Sequence, residues 1–148
     1  MPKFGYSAKI EDPCARAYGK EARVSPKDAV EICRAIKGMK LEKAKEFLMD
    51  VQRKKVAVPY RIHRKKLAHK KVVGTGAYPV KAAKEILKVL KNAEENAKYK
   101  GLDVEKLRVV HASAYRGMII RGVIPRAFGR ATAFNKPLTN IEIILKEV

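Results

Sequence analysis

Nine cations crowd into residues 53–71: Arg53, Lys54, Lys55, Arg61, Arg64, Lys65, Lys66, Lys70 and Lys71. No acidic residue interrupts the chain anywhere in residues 51–84. Ammonium and guanidinium groups at that density neutralise phosphates and position a protein on a polyanion without reading its sequence. Tyr60 and His63 within the run add rings suited to stacking on unpaired bases. A second series, Arg116, Arg121, Arg126, Arg130 and Lys136, recurs at short intervals near the C-terminus. Arginine makes forked contacts to phosphate and stacks on bases, and the small residues interleaved there, Gly117, Gly122, Ala127, Gly129 and Ala131, let backbone approach a partner closely.

Covalent or metal chemistry finds little support. His63, His69, His111, Cys14 and Cys33 are the imidazole and thiol groups of the chain, and none falls into a CxxC, HExxH or finger-type spacing. The histidines of the basic run read as RNA or solvent contacts, His111 as a strand residue, and the two cysteines as reduced thiols outside any disulfide framework. Gly74-Thr75-Gly76 lacks the GxxxxGKS pattern of a phosphate cradle and reads as a turn. The acidic pairs Glu94/Glu95 and Asp103/Glu105 sit among lysines and read as solvated surface. No cofactor or metal is expected, and no catalytic residue.

Composition agrees with the cationic reading. Against 15 Asp and Glu stand 34 Lys and Arg, a formal net charge of +19, which repels itself until a polyanion neutralises it. No stretch reaches the ~20 apolar residues of a spanning helix, and the first residues lack the apolar core of a signal peptide. Membrane insertion is therefore not expected, and a reducing cytoplasm fits the cysteine usage. With 148 residues, 47% of them hydrophobic, one domain with a modest core is expected.

The elements that position these groups follow from capping and periodicity. Residues 1–14 mix Gly, Pro and charge and read as an extended arm, and residues 15–24 as an edge strand. Ser25-Pro26-Lys27-Asp28 has the residue types of a helix start. Ala29, Ile32, Cys33 and Ile36 form one face, with Gly38 as the stop. Leu41, Ala44, Leu48 and Val51 stripe a second helix. Residues 53–78 are expected to be a long basic insertion loop outside the core. A third helix is expected from about Pro79 to Lys100, burying Ala83, Ile86, Leu87, Leu90, Ala93 and Ala97.

After Asp103 the period switches to two. Leu107, Val109 and His111 alternate with Arg108, Val110 and Ala112, and Thr139, Ile141, Ile143 and Leu145 alternate with Asn140, Glu142, Ile144 and Lys146, as antiparallel partners. Between them, residues 115–138 read as one long irregular hairpin turning near Phe128. Arms of about 18 residues at ~3.3 Å each would reach at most roughly 60 Å. A body of ~100 residues has a radius of gyration of ~13 Å. The finger would project, carrying Met118, Ile119, Ile120, Val123, Ile124, Phe128 and Phe134 with no core to receive them, and an enveloping partner is required.

Three runs in this tail and one upstream carry a resemblance. Arg121, then Pro125-Arg126-Ala127-Phe128-Gly129-Arg130-Ala131, then Asn140-Ile141-Glu142-Ile143-Ile144-Leu145, together with Ser25-Pro26-Lys27-Asp28-Ala29, resemble the universal large-subunit ribosomal protein twenty-two family from about Ala15 to the C-terminus. Residues 53–78 look like the insertion of its archaeal and eukaryotic members, and an archaeal source is favoured. The resemblance implies an α+β fold, three helices packed on a small antiparallel sheet with a protruding hairpin. It implies a cytoplasmic, non-enzymatic constituent of the large ribosomal subunit. Its partners would be large-subunit ribosomal RNA, neighbouring ribosomal proteins and the nascent peptide. The cations named above would bind RNA, and Ile124, Pro125, Arg126, Ala127, Phe128, Gly129 and Arg130 would face the peptide exit tunnel. Gly122, Val123 and Ile124 depart from the more basic pattern of many members and imply a more apolar contact on that arm. A non-ribosomal nucleic-acid binder would account for the charge alone, and a nucleic-acid-modifying enzyme for neither the missing catalytic groups nor the exposed ribbon.

Overall fold

In the computed structural model of the chain, residues 5–148 are described; residues 1–4, the start of the expected arm, lie outside them. Strand β1 (Ala15–Ala22) leads to helices α1 (Pro26–Ile36) and α2 (Leu41–Gln52). Three short strands follow, β2 (Val58–Pro59), β3 (His69–Lys70) and β4 (Gly74–Ala77), and then the long helix α3 (Val80–Tyr99). The hairpin strands are β5 (Leu107–Ile120), β6 (Val123–Pro125), β7 (Ala131–Ala133) and β8 (Lys136–Glu147). This is the α+β arrangement expected, with three helices against an antiparallel sheet ordered β1-β8-β5.

Each helix buries the stripe its periodicity marks, except that Leu87 of α3, expected in the core, is only half-buried against it. Ala29, Ile32, Cys33 and Ile36 of α1, Leu41, Ala44, Leu48 and Val51 of α2, and Ala83, Ile86, Leu90, Ala93 and Ala97 of α3 all join one core with the inner face of the sheet. Full burial of a side chain such as Ile86 or Leu90 contributes about 1.5–3 kcal/mol. The turn after α1 is made at Gly38, whose φ of +87° suits glycine. Its N–H donates to the Val109 carbonyl (2.7 Å), and the Val109 N–H donates to Met39 (2.9 Å), so the turn closes part of the outer edge of β5. Ser25 occupies the N-cap position of α1, but its side chain makes no capping hydrogen bond. Helix α3 lies so close to β1 that a Cβ on Gly19 would stand 2.6 Å from Val89 Cγ2.

Two expectations are corrected here. The alternation in β5 does not run straight through: a bulge between Val109 and His111 shifts the pairing, from Val109 opposite Leu145 to His111 opposite Ile144. One extra residue flips the faces, so His111 leaves the inner face and Ala112 enters the core. Residues 53–78, expected as a structureless loop outside the core, instead form a small three-stranded sheet ordered β2-β4-β3. Val58 and Tyr60 belong to the core cluster. A Val-Pro strand start and a buried ring are enough to dock the segment even though its cations stay outside.

Part of the far face of the main sheet is covered by the N-terminal arm, whose Tyr6 ring stands edge-on to Tyr18 at 6.3 Å. Glu142, 1% exposed, accepts the Ser7 N–H (3.0 Å) and the Ser7 hydroxyl (2.7 Å), with His111 Nε2 at 3.6 Å. Burial pushes the Glu142 carboxyl up, but donors from Ser7 and Tyr115 and the nearby imidazole hold it below its ordinary value. Both cysteines are buried free thiols, and burial pushes Cys33 up to about 12.

Candidate nucleic-acid interface

A buried carboxylate of α1 gathers three backbone N–H groups of the basic lobe, residues 53–78. Glu31 of α1 is fully buried and accepts the backbone N–H groups of Arg61 (3.1 Å), Ile62 (2.9 Å) and His63 (2.9 Å). Burial pushes this carboxyl up, and the three N–H donors more than offset it, so it lies below its ordinary value of 4.5. Beside it the Tyr60 hydroxyl donates to Asp28 Oδ1 (2.6 Å). Tyr60 is 5% exposed, which corrects its expected role: a ring in the core is not available to stack on a base. His63 stays half-exposed.

Anchored in this way, the lobe turns its cations outward. Arg53, Lys54 and Lys55 follow the end of α2, Arg61, Arg64, Lys65 and Lys66 lie between β2 and β3, and Lys71 begins the turn before β4; all are exposed. Lys70 is half-exposed, with its Nζ 5.4 Å from the centre of the Tyr78 ring. Within the described residues, no salt bridge involves a cation of residues 53–78.

The second set lies along the finger. Strands β5 and β8 remain paired out to Ile120 opposite Lys136, and β6 and β7 continue from Val123 opposite Ala133 to Pro125 opposite Ala131. The finger is thus more regular than expected, with a bulge between Arg116 and Ile119 and a break around Arg121. At the tip the Arg126 N–H donates to the Arg130 carbonyl (2.8 Å), and Phe128 takes φ +57°. Its ring is 95% exposed. Of the residues expected to face a tunnel, Pro125, Arg126, Ala127, Phe128, Gly129 and Arg130 are exposed and Ile124 is half-exposed. No side chain in residues 118–136 is buried.

Lobe and finger are separate projections, but the finger's root brings Arg116 and Lys136 around one cleft with Arg23, Lys27 and Lys81. The last three were missed by sequence reasoning because each stands alone in sequence, at the end of β1 or in the first turn of a helix. Of the acidic pairs, Glu95, Asp103 and Glu105 are exposed as expected, and Glu94 departs from that expectation. Glu94 is not free surface: its carboxylate meets Lys45 Nζ at 2.5 Å, tying α3 to α2. Asp103 pairs with Lys106 (2.9 Å).

Comparison with known proteins follows the same outline. Residues 17–146 match the family model described as ribosomal protein L22p/L17e. The chain is 55% identical over 141 residues to "Large ribosomal subunit protein uL22" of Methanopyrus kandleri, covering 93% of this chain and 89% of that protein. Proteins of the same name from Methanosphaera stadtmanae and Archaeoglobus fulgidus are 52% and 50% identical, each match covering 97% of this chain and 96% of the relative.

Proposed function

The chain belongs to the ribosomal protein L22p/L17e family, of structural proteins rather than enzymes, and from that premise we propose that it binds large-subunit ribosomal RNA through two cationic projections and carries its fingertip to the wall of the nascent-peptide exit tunnel. Its residence is the large ribosomal subunit, in the archaeal type shared with its relatives. All 148 residues act as one ribosomal-protein domain, with the arm (residues 1–14), the lobe (53–78) and the finger (115–138) as its extensions. Arg53, Lys54, Lys55, Arg61, Arg64, Lys65, Lys66, Lys70 and Lys71 anchor the lobe on phosphates. Arg116, Arg121, Arg126, Arg130 and Lys136 do the same along the finger, and both support assembly of the subunit. Neighbouring ribosomal proteins and the passing nascent peptide complete its contacts.

The finger is the observation that carries this reading. Met118, Ile119, Val123, Phe128 and Phe134 are all exposed on a ribbon that buries none of them. Such a ribbon needs an enclosing partner, and the arginines between them specify an anionic one. The test replaces residues 117–136 by a short turn. The shortened protein should fold and enter the subunit through body and lobe. Crosslinks from a stalled nascent chain to Arg126, Phe128 or Arg130, present with the intact protein, should vanish. Stalled chains that never crosslink to this hairpin at any length would show that the tip lies elsewhere.

A further inference from the structure

The 780 Å³ cleft at the root of the finger has walls of two chemistries. Arg23, Lys27, Lys81, Arg116 and Lys136 stand around it, all exposed. Among the described residues none of the five makes an ion pair. Among the described residues no carboxylate lines it; Asp28, the nearest acid in sequence, lines the neighbouring cleft and accepts the Tyr60 hydroxyl. Beneath the cations lies an apolar floor of Val24, Pro26, Ile120, Pro137 and Leu138. Ile120 remains 40% exposed.

Cations converging without a counter-ion call for an anion, but phosphate alone does not need an apolar floor. A paired RNA helix presents phosphates and sugars while its bases stay stacked inside. An unpaired nucleotide brings both halves together, a flat apolar base and a phosphate on either side. The volume lies in the ordinary range of ligand pockets. The uncapped first turn of α1, at Ser25 and Pro26, opens on the same cleft and adds its positive end to the field. The walls come from the β1–α1 connection, the start of α3 and both arms of the finger, so one occupant would bind the finger's root to the body.

We propose that this cleft receives one unpaired, unstacked nucleotide of ribosomal RNA. Its base lies against Pro26, Ile120 and Pro137, and its flanking phosphates are held by Arg23, Lys27, Lys81 and Arg116. The proposal rests on the RNA-binding reading above. Two RNA hairpins with identical stems, one fully paired and one carrying a single bulged 2-aminopurine, test it with the full chain. The bulged hairpin should bind about tenfold more tightly, with a change in 2-aminopurine emission. Ile120→Ser should remove that preference. Lys27→Ala with Lys81→Ala should weaken both and make the salt slope shallower by about two. A lobe variant, Lys65→Ala with Lys66→Ala, should weaken both and keep the preference. Thermal melting by circular dichroism confirms that each variant folds. Equal affinity of the intact protein for the two hairpins, or a preference that survives Ile120→Ser, overturns the cleft assignment and leaves general RNA binding standing. No binding of either hairpin or of a large-subunit RNA transcript overturns both. A photoreactive residue in place of Ile120 should crosslink to RNA in intact ribosomes, and a crosslink to a protein instead assigns the cleft to that neighbour and rejects the nucleotide.

Discussion

Glu31 shows how one carboxylate does what a run of nine cations cannot do for itself. Repulsion among the lobe's lysines and arginines favours an open segment, and the three backbone hydrogen bonds at residues 61–63 oppose it. Glu31→Gln keeps an oxygen for Ile62 and His63 but turns an amide donor toward the Arg61 N–H. It should cost about 2 kcal/mol, the scale of a charge-assisted hydrogen bond, with faster exchange of amides 61–63 and weaker RNA binding while the helices persist. The pH dependence has a definite sign. Because the folded carboxyl lies below its ordinary value of 4.5, its contribution is fully present above that value and is lost as pH falls through the lowered one. Amide shifts at residues 61–63 should follow that loss in the natural protein and show no such step in Glu31→Gln. Nothing in the sequence marks this role: Glu31 adjoins the apolar pair Ile32 and Cys33, and the N–H groups it accepts lie thirty residues on.

At the scale of elements, what the sequence reveals depends on length and period. The three helices are readable because Pro26 and Gly38 mark the ends of α1 and all three carry apolar stripes that repeat over three or more turns. The lobe strands are not, since β2 and β3 have two residues each and a pair of residues has no period. Nor is the β5 bulge, which depends on where Gly38 and Met39 grip Val109 rather than on residue types in the strand. The finger's turn is readable from its glycine and small residues, its regular pairing less so. That pairing should still be weakly protected in the free protein, because it covers no core. Amides of residues 123–133 should exchange rapidly, while those of Ile86 and Leu90 in α3 exchange slowly. Equal protection of both without RNA would mean that the finger is stabilised by something other than its partner.

Across the whole molecule, acids and cations are sorted by place. The described salt bridges lie in the body and the arm docked on it, where Glu94 joins α2 to α3 and Asp103 pairs with Lys106. Among the described residues, no cation of the lobe or the finger makes a salt bridge. RNA binding should therefore fall steeply with salt. Replacing Lys65, Lys66, Lys70 and Lys71 together by Ala should weaken binding and reduce the slope of log affinity against log salt by up to about four, one for each phosphate no longer neutralised. An unchanged slope would remove the lobe from the interface. The candidate cations themselves were readable from the sequence as runs, whereas the isolated Arg23, Lys27 and Lys81 become visible only when the fold brings them beside the finger.

The strand order β1-β8-β5 sets a schedule for manufacture. Among the described strands, both outer strands pair with β8, which follows them in the chain. While residues 15–120 emerge, β1 and β5 have no strand to join, and the inner face that the helices need is not assembled. The sheet closes only once β8 has been made, so this protein cannot complete its body piecemeal as it leaves the machine in which it will serve.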